Sequence, residues 1–226
     1  VRADAEAGAG KFQPLGIIQT TEAVFPPAPL ARGYLKGRAT ILIAVDASGK
    51  LTDFLAISYT QLYFAQAAQA ALRQWTYEPA RLNGRPVGVT KEIDFSFEVG
   101  GPVVVSQNIS EFADEFLRRF VPDESGYRAY NIREIDGKLN AIRVVRPPYT
   151  KELAARGVSG TVTLAYYVDE KGRVRLPVVL NDADPDLASL AVEAMKKWQF
   201  EPPTRNGQPV LVWVRQDIRF NMPNRS

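Results

Sequence analysis

The sequence predicts an α+β chain built as two tandem small domains. Each is an antiparallel β-sheet of about three strands with a helix packed on one face, and an amphipathic linker helix joins them. Three observations lead there. The stretch WTYEPARLNGRPV at residues 75–87 returns as WQFEPPTRNGQPV at 198–210. A shift of 123 aligns residues 37–97 with 160–220 without a gap, and eighteen of those sixty-one positions are identical. Each copy also runs in the order strand, tight turn, strand, helix, turn, strand, the pattern of a small sheet with one covered face. Only two copies occur, so this is a duplicated globular domain and not a solenoid.

The elements of the two copies follow in parallel. RATILIAV and TVTLAYYV are β-branched and aromatic runs that read as strands. Each ends in an aspartate with a glycine three residues on, Asp46 with Gly49 and Asp169 with Gly172. There glycine supplies the positive φ that closes a hairpin. The second strands, LTDFLAI and VRLPVVL, come next; Pro177 cannot donate to a ladder, so its strand is expected to have one side unpaired. A helix follows. In the second copy Asp184 stands as N-cap before Pro185, and Leu187, Ala191, Ala194, Met195 and Trp198 share one face. The first copy repeats the stripe as Phe64, Ala68, Ala71, Leu72 and Trp75, with Thr60 as a weaker cap. Glu78-Pro79 and Glu201-Pro202 stop the helix region, because the residue before proline is pushed towards extended geometry.

Asn83-Gly84 and Asn206-Gly207 then turn the chain into the last strand of each copy. In the first, Val87, Val89, Lys91, Ile93, Phe95 and Phe97 share a face; in the second, Val210, Val212, Val214, Gln216, Ile218 and Phe220 do. Between the copies, a Gly-Gly-Pro break at 100–102 precedes an expected helix with Phe112, Phe116, Leu117 and Phe120 as its apolar stripe. YNIREIDGKLNAIRVV, from Tyr130, reads as a further hairpin turning at Asp136-Gly137. The expected organisation is a tail at 1–16, the first copy at 17–99, the linker at 100–129, the second copy at 130–222 and a tail at 223–226.

Composition narrows the function. The 28 basic and 25 acidic residues leave a charge of +3, too weak and too interspersed for a nucleic-acid footprint. Zero histidine and zero cysteine exclude zinc-finger, haem, iron–sulfur, thiol-nucleophile and histidine-triad chemistry. No apolar run reaches the eighteen or so residues of a bilayer span. The opening VRADAEAGAG, beginning at Val1, is the small-residue material that follows a trimmed leader, so any membrane anchor is expected upstream.

No catalytic residue, cofactor or metal ligand is expected. Asp46 and Asp169 each sit alone in a turn, and Glu78 and Glu201 lack a second carboxylate at a recurring spacing, so turn and strand-start contacts account for them. Trp75 and Trp198, on the apolar helix stripe, read as core plugs and not as stacking platforms. Trp213 differs. With Leu211 it lies on the face of the last strand opposite the expected core, where the first copy has Thr90 and Gly88. That pair reads as packing against the linker helix or the other domain, with a partner surface as the alternative.

The pattern Phe25-Pro26 or Tyr149-Thr150, Ala-Arg-Gly, strand, Val-Asp-x-x-Gly, Ala-rich helix ending in Trp, aromatic-Glu-Pro, Asn-Gly-x-Pro-Val and closing strand resembles the TonB C-terminal domain family, over residues 17–99 and 131–222. The second copy matches it better. The resemblance implies a periplasmic module of Gram-negative bacteria that takes part in energy-dependent transport across the envelope. Any inner-membrane anchor would lie upstream of Val1. It implies binding of an envelope protein such as an outer-membrane TonB-dependent transporter, by pairing an edge strand with an extended segment of the partner. The residues expected to carry that contact are Val210, Val212, Trp213, Val214, Arg215, Gln216, Asp217 and Arg219; residues 87–97 are the weaker candidate. The rival expectation is a structural or self-association module of the cell envelope without a transporter partner. It would be favoured by edges already paired within the chain, since a sheet edge can be used once.

Overall fold

A computed structural model describes residues 11–108 and 126–221. They divide into two compact units, 11–108 with 126–127, and 128–221. In chain order the first holds β1 (Phe12–Gln13), β2 (Gly16–Gln19), α1 (Pro27–Ala31), β3 (Lys36–Val45), β4 (Leu51–Tyr59), α2 (Leu62–Leu72), β5 (Thr76–Glu78), β6 (Ala80–Leu82), β7 (Arg85–Val87), β8 (Val89–Glu98) and β9 (Val104–Asn108). After β10 (Tyr127–Arg128) the second holds β11 (Tyr130–Asn131), β12 (Ala141–Arg143), α3 (Lys151–Ala155), β13 (Gly160–Val168), β14 (Val174–Val179), α4 (Pro185–Met195), β15 (Gln199–Phe200), β16 (Thr204–Arg205), β17 (Gln208–Pro209) and β18 (Val212–Phe220).

Each unit keeps the expected antiparallel frame of three long strands. β3 pairs with β4 and β8, and β13 pairs with β14 and β18. One helix lies on one face. Phe64, Ala68, Ala71 and Leu72 of α2 meet Ile41, Ile43, Phe95 and Phe97 in the first core; Leu187, Ala191 and Met195 of α4 meet Val162, Leu164, Tyr166 and Phe220 in the second. The small alanines let each helix lie close to its sheet, while a fully buried Ile, Leu or Phe contributes roughly 1.5–3 kcal/mol.

Local chemistry explains the matching corners. Asp169 Oδ1 accepts from the Lys171 and Arg173 amides at 3.0 and 2.9 Å, as Asp46 Oδ1 accepts from Ser48 and Lys50 at 2.8 and 3.0 Å. Asn83-Gly84 and Asn206-Gly207 have both φ values positive, which makes them hairpin turns of type I′. They join β6 to β7 and β16 to β17, small hairpins that precede the last long strand. The repeated tryptophans are framework. Trp75 Nε1 donates to the Thr21 carbonyl at 2.9 Å and Trp198 Nε1 to the Val145 carbonyl at 2.8 Å, so each ties its helix end to the segment that leads into its own copy. Glu201 receives Asn140 Nδ2 at 2.8 Å, a strand-start contact. Asp184 caps α4 through the amides of Asp186 and Leu187.

Several local expectations are corrected. Thr60 does not cap α2; Gln61 holds the cap position without a side-chain bond, and Thr60 Oγ1 instead accepts from the Arg38 amide at 3.0 Å. The segment 130–143 is not a hairpin. Tyr130–Asn131 pairs in parallel with β18 and Ala141–Arg143 with β15, while Asp136 accepts from the Asn206 and Gly207 amides, stabilising a turn seventy residues away. The first unit reaches back into the expected tail, since Phe12–Gln13 pairs with β6 and Leu15 is buried in the first core. Part of the expected linker is also sheet: after Gly100 turns the chain with φ 73°, the β-branched run at 103–105 folds back and β9 pairs with β8. The linker helix carrying Phe112, Phe116, Leu117 and Phe120 lies outside the described residues. Among those described, no helix is long and apolar enough to cross a membrane.

Candidate functional site

The last strand of the second copy, β18, is built by its alternation. Val212, Val214, Ile218 and Phe220 are buried in the second core, and Val210 just before the strand is buried with them. Gln216 occupies the remaining core-face position and accepts from the Tyr166 hydroxyl at 2.7 Å. The shift of 123 places the core residues Ile43 and Ile93, on adjacent strands, where Tyr166 and Gln216 stand, so two apolar positions in one copy are a hydrogen-bonded polar pair in the other. Burial pushes the Tyr166 hydroxyl well above the usual phenol range, which keeps it a donor.

The opposite face carries Trp213, Arg215, Asp217 and Arg219. Trp213 is half-buried and the three charged residues are exposed. Asp217 accepts from Thr163 Oγ1 at 2.7 Å, and the first copy repeats the contact, with Thr40 Oγ1 donating to Asp94 at 2.7 Å. Asp217 is thus partly framework. The signal was in the alignment: threonine and aspartate are both retained at these cross-strand positions. Neither Arg215 nor Arg219 has an ion-pair partner among the described residues.

The sides of β18 are as distinct as its faces. Its inner side pairs with β13 from Val212 to Phe220. On its outer side β11 runs parallel and pairs with Val212 and Trp213 only. β11 is pinned there: Arg128 lies 4.2 Å and Arg205 4.6 Å from the Tyr130 ring centre, and Glu134 binds Arg128 and the Asn131 amide. The Arg128 hydrogen bond holds the Glu134 carboxyl below the usual range, although burial opposes it. From Val214 on, the outer side of β18 has no strand partner among the described residues. The Tyr130 amide donates to the Leu211 carbonyl at 2.8 Å, so odd-numbered residues direct their backbone groups outward. Arg215, Asp217 and Arg219 therefore offer N–H and C=O groups at the edge, whereas Val212, Val214 and Gln216 spend theirs on β13. Val210 gives its amide to the Pro203 carbonyl.

Two comparisons within the chain sharpen this. In the first copy the same edge is taken. β9 lies antiparallel on β8, with Glu92 opposite Asn108, Asp94 opposite Ser106 and Ser96 opposite Val104, the positions that correspond to Arg215, Asp217 and Arg219. The other rim of the second sheet is blunted. β14 carries Pro177 beside Leu176, whose φ of 51° sits at a register shift against β13. A bulge with a proline is a common way to spoil an edge. Periodicity did not separate β8 from β18, because both alternate alike; only the strand beside each tells them apart.

The fold and this edge define a duplicated α+β domain whose second copy presents an unpaired stretch of its last strand among the described residues. The chain belongs to the family described as Gram-negative bacterial TonB protein C-terminal, whose sequence model matches residues 22–99 and 145–222. It is 30% identical over 79 residues to Protein TonB of Vibrio cholerae serotype O1, a match over 34% of this chain and 32% of the relative. The chain thus spans about a third of that relative's length. The solution structure of the Pseudomonas aeruginosa TonB CTD is similar at 27% identity and a TM-score of 0.34, covering 40% of this chain and 93% of that one.

Proposed function

We propose that this chain is a periplasmic binding module of TonB type, serving energy-dependent transport across the envelope. It recognises an extended segment of an envelope protein, such as an outer-membrane transporter, by adding it as a strand to the outer edge of β18. One observation carries the reading: the backbone groups of Arg215, Asp217 and Arg219 face an edge without a strand partner among the described residues, while the same edge of the first copy is occupied by β9. The first copy is then the structural one, because its edge is already spent. Strand addition draws affinity from main-chain hydrogen bonds and specificity from alternate side chains.

Proline tests the direction of the backbone. Arg215→Pro removes an outward N–H and should abolish binding of transporter peptides with little loss of stability, since an edge strand tolerates proline on its open side. Gln216→Pro removes a bond to β13 instead and should cost roughly 3 kcal/mol or more. Unchanged peptide affinity in Arg215→Pro refutes the reading. A dimer held by the same edge in the absence of any peptide would favour self-association instead.

A further inference from the structure

We infer that the segment received by β18 is acidic, with carboxylates two residues to either side of a small polar residue. The inference rests on the edge-pairing reading and adds the partner's chemistry. A strand on the outer side of β18 places alternate residues opposite Arg215, Asp217 and Arg219, whose side chains stand on the face away from α4. Arg215 and Arg219 are exposed, lack an ion-pair partner among the described residues and flank Asp217 at equal spacing. An acid opposite each arginine is attracted, and an acid opposite Asp217 is repelled. The pattern is therefore acid, any, small polar, any, acid, and it reads the same in either strand direction.

The first copy supplies the converse. Its edge positions are Glu92, Asp94 and Ser96, without a cation, and the strand it accepts is VVSQN, without an acid. Serine 106 stands opposite Asp94, the position where the second copy calls for a small polar residue. The strand on the first edge thus brings no acid against Glu92 and Asp94. The VVSQN sequence would leave both arginines of β18 unanswered.

The test uses the full chain and three synthetic peptides. One alternates valine with glutamate, serine and glutamate at the positions facing the edge; the others have glutamine or lysine for both glutamates. Affinity is read by titration, and pairing by protection of the Arg215, Asp217 and Arg219 amides. The glutamate peptide should bind about five- to tenfold more tightly at low salt, from two exposed cross-strand charge pairs, and the advantage should shrink at high salt. R215E/R219E, which touches no bond of the fold, should reverse the preference towards a lysine peptide. Equal affinity of the glutamate and glutamine peptides with protected amides overturns the acidic partner and leaves edge pairing standing. Absence of protection with any peptide overturns edge pairing and this inference with it. Protection without peptide, in a concentration-dependent dimer, makes the occupant a second copy of this chain and overturns both.

Discussion

Gly172 and Gly207 have nearly the same backbone conformation, φ 73° and 74°, in the second unit. Replacing either with alanine costs about 1 kcal/mol for an L-residue in the left-handed region. Their surroundings separate them. A Cβ on Gly207 meets nothing within 4 Å, whereas a Cβ on Gly172 would lie 1.9 Å from the Phe200 carbonyl oxygen and 2.8 Å from its carbon. Those are backbone atoms and cannot swing aside, so the Asp169 turn and β15 must separate by an ångström or more, an overpacking cost of about 1 kcal/mol or more. That separation also strains the bond from the Phe200 amide to the Gly172 carbonyl, now 2.8 Å, at about a further 1 kcal/mol. Gly172→Ala should therefore cost roughly 3 kcal/mol or more and Gly207→Ala about 1 kcal/mol. Amide hydrogen exchange of β13 and β14 reads the second unit separately from the first, and the two variants should differ there by a factor of about thirty in protection. Equal loss in both would refute the claim that the hairpin turn is clamped against the Glu-Pro corner.

Substitutions at two further places probe the second unit. Burial alone would raise the Asp169 carboxyl, but hydrogen bonds from the Arg173 side chain and from the Arg173 and Lys171 amides hold it below the usual range. Because its folded value is depressed, its contribution is present in full above the unfolded value near 4 and is lost as pH falls through the folded value. Asp169→Asn should cost roughly 2 kcal/mol at pH 7 from the charge-assisted bonds lost, and the gap to the unsubstituted chain should narrow in denaturant titrations at pH 3; a gap independent of pH would refute it. Tyr166→Phe leaves the Gln216 oxygen without its donor and should cost about 1–2 kcal/mol, while adding Gln216→Leu should restore most of that, as in the apolar pair of the first copy. Additive losses in a thermal-melt double-mutant cycle would show that the two side chains are not coupled.

What could be read in advance was local. Asp184 before Pro185 announced a helix start, Asn-Gly announced the hairpin turns, and the Trp-aromatic-Glu-Pro corner recurred because each copy buries its helix end against its own leading segment. Those signals act over a few residues, so spacing alone exposes them. Asp136 shows where that stops. Beside Gly137 it looked like half of a turn of its own, yet its carboxylate serves the Asn206-Gly207 turn, which no short-range pattern encodes.

The candidate site divides the same way. By itself the sequence determined the duplication, the sheet-and-helix frame of each copy, and which residues of the last strands point into the core, because the period of two and the repeat are properties of the chain as written. Only the tertiary structure decided which last strand has a side without a strand partner among the described residues. β9 spends the edge of the first copy, while in the second β11 covers only Val212 and Trp213 of β18. Strand pairing joins segments through backbone groups that every residue carries, so side-chain pattern cannot announce it. The long-range fold alone assigned those groups on Arg215, Asp217 and Arg219 to the outer side.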